Sequence, residues 1–235
     1  MTTTQTTIGI LLLTLSMVLP GQAGEPFTVY LPSREASELL VIDAVDGGEG
    51  VEFSPVSRVL LGFPAASITA HPDLSVLYVS DPKGTAGAVV MLQEDSRQPN
   101  VDPVTFEHGY CYLSTDSGGR FLLGASYREG AVDVYHLGPD GQLGALVHGI
   151  NEGLANAHCV LPSPDDRFVY IPYVKDNNAL YQYSFDAETG KLLPLEPADT
   201  GPPEPSGPRH QAYHPSLPIT YLSLIHISEP TRLAT

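Results

Sequence analysis

The sequence has no tryptophan, only two cysteines and only three methionines among its 235 residues. Two cysteines are too few for a disulfide framework in a chain of this size. We therefore interpret Cys111 and Cys159 as small buried side chains, although a bond between them stays open as an alternative. Long runs with helical periodicity are also scarce, which is typical of an all-β chain.

Basic residues are also few. The chain has 11 Lys and Arg against 27 Asp and Glu, so its formal net charge is −16. A surface with this balance repels nucleic acid and anionic membranes, and we predict neither as a partner. A site for an anionic small molecule would need a local concentration of positive charge.

The N-terminus carries an apolar segment but no Lys or Arg in its first residues. Ile8 to Leu19 is apolar with few interruptions, and the small-residue sequence Gly21-Gln22-Ala23 follows it. This order and length are typical of a secretory signal peptide and too short for a membrane span. We predict that residues 1–23 are cleaved and that the mature chain is exported, periplasmic or extracellular, with no membrane span. A buried first strand is the alternative.

The C-terminal residues 222–235 are unlike the rest of the chain. Leu222 to Arg232 resembles one translated reading frame of a transposon-type sequencing adaptor, and such segments are excluded from fold reasoning. A natural terminal strand is the alternative. We expect the authentic sequence to stop near Tyr221 and the gene to continue beyond it.

Between these ends, residues 24–221 are rich in glycine, proline and tyrosine, which favours an all-β domain. A sequence motif recurs in which the residues of a tight turn precede a strand rich in β-branched or aromatic residues. Its aligned positions, which step by 45, 47 and 51 residues, are Val76, Phe121, Phe168 and Ile219.

Each of these strands is followed by a second strand at similar spacing. In Val132-Asp133-Val134-Tyr135 apolar and polar residues alternate, so we predict that one face of this strand is more buried than the other. A period of 40 to 50 residues with several strands is typical of a β-propeller with one four-stranded blade per repeat. We predict about four blades and the start of a fifth; a β-sandwich is the alternative.

The polar segment Gly207-Pro208-Arg209-His210 precedes the last repeat, with His214-Pro215 behind it. Together with Ser114-Thr115-Asp116, Gly124-Ala125-Ser126-Tyr127 and Ser163-Pro164-Asp165-Asp166-Arg167, it resembles the seven-bladed lactonase family over Phe27 to Tyr221. The resemblance implies lactone chemistry and a full-length ring of seven blades. The family includes propeller-type 6-phosphogluconolactonases and fungal muconate-lactonizing enzymes.

The resemblance also implies a site. Arg209 offers a planar fork of donors for a carboxylate, a phosphate or a developing oxyanion. His158 matches the histidine of the family's catalytic region, and His210 could orient a group or donate a proton. We therefore predict His158, Arg209 and His210 as catalytic, and Lys175, Asn178 and Tyr112 as substrate-binding.

Several positions depart from the family pattern. The family has an acidic residue sixteen positions after this arginine, where the chain has Ile225, and Tyr112 stands where relatives have histidine. Asn178 replaces a cation, for which Lys175 could substitute. His214 is expected to be structural, like His71, and Arg128 to be a solvated loop residue.

Two classes of function follow. The first is a hydrolase that opens a sugar lactone ring with an activated water, like a 6-phosphogluconolactonase, with a small-molecule lactone as its partner. Water activation and oxyanion stabilisation require no cofactor, and no ligand cluster for a metal is evident. The alternative is a non-catalytic exported binding or scaffolding propeller that has the fold without the chemistry.

Overall fold

A computed structural model describes residues 7–9, 26–47, 50–93, 96–202 and 206–225. Most of the predicted signal peptide (1–23) and residues 226–235 of the predicted adaptor segment lie outside the described residues. Apart from one 3₁₀ turn at Lys175–Asn177, the regular elements within these ranges are all β-strands. None of the described elements is a helix long and apolar enough to cross a membrane.

The strands form five sheets that follow one another along the chain, and we call them blades I to V. Each sheet is a run of sequential strands, as expected for blades. Blade I contains β1 (Thr7–Gly9), β2 (Pro26–Ser33), β3 (Glu38–Asp46), β4 (Val51–Phe53) and β5 (Ser57–Leu60). Blade II contains β6 (Ser67–Ala70), β7 (Val76–Ser80), β8 (Ala86–Gln93) and β9 (Ser96–Thr105).

The remaining blades repeat this order. Blade III contains β10 (Tyr112–Thr115), β11 (Phe121–Ala125), β12 (Val132–Leu137) and β13 (Leu143–Ile150). Blade IV contains β14 (Leu161–Pro162), β15 (Phe168–Tyr173), β16 (Ala179–Asp186) and β17 (Lys191–Thr200). Blade V contains β18 (Pro208–Tyr213) and β19 (Thr220–Leu224). The prediction of four blades and the start of a fifth is confirmed.

Neighbouring strands within a blade are antiparallel, with one exception. In blade II, for example, Val76 of β7 lies opposite Met91 of β8. The exception is β1, which pairs in parallel with β2 and places Thr7 opposite Phe27. In sheet order, β1 occupies the first position of blade I, as β6 does in blade II.

The hydrophobic core lies between successive blades. Alternate residues of β7 belong to different clusters: Leu77 and Val79 pack with blade I, whereas Val76 and Tyr78 pack with blade III. Side chains alternate between the two faces of a strand, so an inner strand of a propeller supplies both of its neighbours. All five residues of β7 are buried for this reason.

This arrangement corrects the prediction for β12. The alternation of Val132-Asp133-Val134-Tyr135 suggested one buried and one more exposed face, but all four residues are buried. Asp133 is 3% exposed and accepts hydrogen bonds from the Tyr110 hydroxyl at 2.5 Å and from His108 Nδ1 at 2.6 Å. The polar position therefore faces the loop between blades II and III instead of solvent.

The recurring turn uses its side chains to bind its own backbone. His71 Nδ1 accepts hydrogen bonds from the amides of Asp73 and Leu74, which leaves the ring hydrogen on Nε2 to donate to Gly119 O of the next blade at 3.0 Å. His214 Nδ1 accepts in the same way from the amides of Ser216 and Leu217. Side chains that bind a nearby amide are the usual stabilisers of such turns, and the geometry matches the structural role expected for His214.

Candidate functional site

A depression of about 560 Å³ lies where hairpins and blade-to-blade connections meet. This volume is in the usual range for a small-molecule site. The hairpins β2–β3, β7–β8 and β11–β12 contribute to it, as do the residues that precede β10 and β14. Its lining residues are Arg34, Pro82, Lys83, Cys111, Tyr127, Arg128, His158, Arg209 and Ile225.

Arg209 and His158 are in direct contact within this depression. The Arg209 Nε hydrogen is donated to His158 Nε2 across 2.9 Å. Arg209 is the second residue of β18, and His158 comes shortly before β14, so blades IV and V each supply one member. The contact joins two residues that are 51 positions apart, so the fold brings the two motifs together.

The environment of His158 keeps its imidazole neutral. Burial, followed by the charges of His210 and Arg209, lowers the pKa of His158 from 6.5 to about 4. Because Nε2 accepts from Arg209, the ring hydrogen of the neutral form is on Nδ1. This nitrogen is buried and has no hydrogen-bond partner among the described residues. His158 is therefore a neutral base whose lone pair is engaged by a cation.

His210 packs against the same imidazole. The two rings lie 4.8 Å apart in an edge-to-face arrangement, and Tyr127 contacts His158 in the same way at 5.6 Å. Burial and the nearby Arg209 charge lower the pKa of His210 as well. The structure thus brings the three predicted catalytic residues together, with His210 behind His158 instead of in the lining.

Tyr112 lies close to His210. Its ring is 6.1 Å from that of His210, and its side chain bonds to the thiol of Cys159. Burial raises the pKa of the Tyr112 hydroxyl, so the phenol stays neutral. Tyr112 therefore packs near His210 and is not among the residues that line the depression.

Both cysteines are free thiols near the inner strands of blades III and IV. Cys111 lines the depression, and burial raises its pKa to about 12. The Cys111 thiol therefore stays protonated at neutral pH, and it lies 3.4 Å from Ala125 O. A protonated thiol is a poor nucleophile, which argues against covalent catalysis by Cys111.

Lys175 and Asn178, the other predicted substrate-binding residues, lie at the β15–β16 hairpin. Lys175 Nζ stands 5.3 Å from the centre of the Tyr127 ring, so the ammonium caps an aromatic side chain that lines the depression. Asn178 instead bonds to backbone: its Oδ1 accepts from the amides of Ser206 and Gly207, each at 2.9 Å. Asn178 therefore fixes the backbone at the start of blade V, where Gly207 lies two residues before Arg209.

Ile225 occupies the position where the family pattern has an acidic residue. Its amide donates to Gly207 O at 2.9 Å, and its side chain lines the depression beside Arg209. Position 225 therefore does face the site, but the side chain there is apolar. The lining residues of the described chain include no carboxylate.

Sequence reasoning missed Arg34 and Lys83 and set Arg128 aside as solvated. All three line the depression. A signal was present, because these cations recur in the same hairpin of successive blades. Within the described ranges, no three His, Cys, Asp or Glu side chains are grouped closely enough to hold a metal ion.

Comparison with known proteins agrees with this architecture. The family model of the seven-bladed β-propeller lactonases matches residues 48–224. A Cronobacter sakazakii 6-phosphogluconolactonase is 34% identical over 152 residues, covering 64% of this chain and 44% of that protein. A Klebsiella pneumoniae 6-phosphogluconolactonase is 39% identical over 111 residues, covering 47% of this chain and 32% of that protein. The chain thus spans less than half the length of these relatives.

Solved structures show the same fold. The periplasmic gluconolactonase of Pseudomonas aeruginosa superposes with a TM-score of 0.72 at 22% identity, covering 85% of this chain and 62% of that one. A Bacteroides fragilis protein gives a TM-score of 0.70 at 17% identity, covering 86% and 61%. Since the family model matches well over half of the chain, the protein belongs to the lactonase family of seven-bladed β-propellers.

Proposed function

We propose that the protein is a hydrolase that opens a sugar lactone with water, as the 6-phosphogluconolactonases to which it is similar are named to do. The observation that carries the proposal is the contact of 2.9 Å between Arg209 and His158 in the depression. It combines a fixed cation with a neutral imidazole, which are the two groups that addition of water to an ester carbonyl requires.

The reaction follows from these two groups. The lactone carbonyl oxygen takes hydrogen bonds from the Arg209 guanidinium, and a water attacks the carbonyl carbon as its proton passes to His158 Nε2. The tetrahedral oxyanion is stabilised by the Arg209 charge. The intermediate then collapses with cleavage of the ring C–O bond, and His158 returns its proton to the leaving alkoxide. The product is the open hydroxy acid.

The Arg209–His158 contact links the two roles. In the free protein the His158 Nε2 lone pair is engaged by the Arg209 Nε hydrogen, so it cannot accept a proton from water. When the guanidinium turns toward the lactone oxygen, that bond is exchanged and the lone pair is released. Substrate binding thereby frees the base. His210, in contact with the His158 ring, supports the imidazole through the change.

The test is hydrolysis of δ-gluconolactone and its 6-phosphate by wild type, Arg209→Met and His158→Gln. We expect each substitution to lower kcat/KM by roughly 10² or more, in line with the loss of a general base or an oxyanion donor. Arg167→Met is the matched control, because the exposed Arg167 bonds to Asp165 at 2.6 Å away from the depression. Equal rates in all four proteins would remove the site assignment.

A second candidate function rests on one observation, that none of the described residues lining the depression carries a carboxylate. A propeller of this kind would bind the ligand without turnover. Saturable binding of gluconate without ring opening of either lactone would favour this alternative over the hydrolase.

We also propose that the chain is exported. The apolar run and the Gly21-Gln22-Ala23 sequence support this. One protein with the same fold is named a periplasmic gluconolactonase. Mass spectrometry of the secreted or periplasmic protein should find an N-terminus at Gly24, and a mature protein that still begins at Met1 would contradict export by cleavage.

A further inference from the structure

Basic residues recur in one hairpin of each complete blade. The hairpin that joins the second and third strands of the blade carries Arg34 in blade I, Lys83 in blade II, Arg128 in blade III and Lys175 in blade IV. These positions step by 49, 45 and 47 residues, which is the period of the repeat itself. One cation per blade therefore reaches the same end of the propeller.

Three of these cations share the depression with Arg209. Arg34, Lys83, Arg128 and Arg209 are four of the 11 Lys and Arg in the whole sequence, and all four line the same depression. The two acidic residues adjacent to them in sequence, Glu35 and Glu129, do not line it. Glu129 is held by the hydroxyl of Ser126.

Three arginines elsewhere in the described chain have carboxylate partners. Arg58 bonds to Glu38 at 2.8 Å, Arg120 to Glu188 at 3.3 Å and Arg167 to Asp165 at 2.6 Å. Across the described ranges, none of the four lining cations forms an ion pair with a carboxylate, and the partner of Arg209 is a neutral imidazole. Like charges repel, so four unneutralised cations in one depression favour an anionic ligand.

We propose that Arg34, Lys83 and Arg128 form a second anion-binding subsite, which holds an anionic substituent of the ligand away from the reacting carbonyl. A phosphate ester or a carboxylate supplies the oxygens that guanidinium groups bind in pairs and that an ammonium binds as a point charge. The subsite comes from blades I to III, whereas His158 and Arg209 come from blades IV and V. Different blades thus supply the anion subsite and the lactone end of one depression.

The assignment rests on the proposed function only in placing the reacting carbonyl at Arg209. It predicts a preference among ligands that differ at one end. Gluconate, glucarate and 6-phosphogluconate share a six-carbon chain and one carboxylate, and they differ in carrying a hydroxyl, a carboxylate or a phosphate at carbon 6. Isothermal titration should give a Kd at least about tenfold lower for an anionic carbon 6 than for gluconate, since one close charge pair contributes about this factor.

The two anionic probes separate the two chemical sources. Tighter binding of 6-phosphogluconate than of glucarate assigns the subsite to a phosphate ester, and the reverse order assigns it to a carboxylate. Either preference should shrink as salt is raised from about 50 to 500 mM, because the cations are exposed and screened.

Substitutions test which residues carry the preference. In Lys83→Met and Arg128→Met the affinity for the anionic probes should fall by about tenfold each, while gluconate affinity changes little. Arg58→Met is the matched control, because it removes an exposed arginine of blade I that already bonds to Glu38. Lys83→Arg, which keeps the charge, should retain the preference, and circular dichroism checks that each variant is folded.

The outcomes distinguish this proposal from the proposed hydrolase. Equal affinity for the three probes, or a preference that survives both Met variants, overturns the subsite even if the lactone is hydrolysed. A preference that Lys83→Met and Arg128→Met abolish supports the subsite even if neither lactone is opened, in which case the hydrolase fails and the subsite stands.

Discussion

Arg209 donates its Nε hydrogen to Nε2 of His158 across 2.9 Å, and this bond places a permanent cation against an uncharged imidazole. Arg209 is one of the causes that lower the pKa of His158, after burial and His210. The pair is therefore both the reactive centre of the proposed mechanism and a source of pH-dependent stability.

The first prediction concerns the pKa of His158. In Arg209→Met we expect this pKa to rise from about 4 toward 6.5 without reaching it, because burial, the largest cause, remains. Histidine NMR titration of both proteins measures the change. An unaltered pKa would show that the guanidinium does not act on the imidazole.

The same shift makes stability depend on pH. The pKa of His158 is about 4 in the folded protein and 6.5 in the unfolded chain, so between these pH values the unfolded chain binds more protons. Unfolding is therefore favoured as the pH falls from about 6.5 to about 4. His210 acts in the same direction. Urea unfolding at pH 7, 5.5 and 4.5 should show a smaller loss of stability in His158→Gln than in wild type.

The second prediction concerns position 225. In Ile225→Glu a carboxylate enters the depression beside Arg209, and we expect faster lactone hydrolysis, by roughly 10²-fold if the new group activates water. Steady-state kinetics with δ-gluconolactone measures this. Ile219→Glu replaces another exposed isoleucine, which does not line the depression, and should leave the rate unchanged. Equal rates in both variants would contradict a role for position 225.

The third prediction concerns the start of blade V. Asn178→Ala removes the oxygen that accepts the Ser206 and Gly207 amides, and we expect a loss of about 1–2 kcal/mol in the free energy of unfolding. Asn178→Asp keeps an acceptor oxygen at the left-handed φ of 41° and should lose less. Urea titration compares the two, and equal losses would argue against the acceptor role.

The fourth prediction uses two glycines with positive φ. In Gly130→Ala the new Cβ would lie within covalent range of Leu154 O, so we expect a loss of about 3 kcal/mol or more. Gly62 has φ of 82° and nothing within 4 Å of a built Cβ, so Gly62→Ala carries only backbone strain, about 1 kcal/mol. Thermal unfolding measures both, and equal costs would show that the Leu154 contact can relax.

Much of the fold was predictable because the repeat consists of turn and strand residues with local conformational preferences. The turn motif and the strand beginning at Phe121 or Phe168 each require only nearby residues, and Arg209 and His158 lie in recognisable motifs. The burial of Asp133 was not predictable from alternation, because its cover comes from His108 and Tyr110 in the connection between blades II and III.

The site was predicted only in part for a related reason. Arg34, Lys83 and Arg128 look like solvated loop cations when each is read within its own hairpin. The three cations come together only because their hairpins meet at one end of the propeller. That proximity depends on how the blades pack, which a single hairpin does not reveal. Asn178 is the reverse case: the family pattern predicts substrate binding, and the structure shows that its side chain bonds to the backbone just before Arg209.

The placement of the three hairpin cations on separate sheets has a mechanical consequence. Blades I, II and III are joined by apolar clusters and by single bonds such as His71 to Gly119 O. One anion that touches Arg34, Lys83 and Arg128 would fasten three sheets together at their loop end. At a ligand concentration 100 times its Kd, this would raise the free energy of unfolding by about 2.7 kcal/mol. A metabolite bound there would therefore stabilise the packing of the three blades in addition to occupying the site.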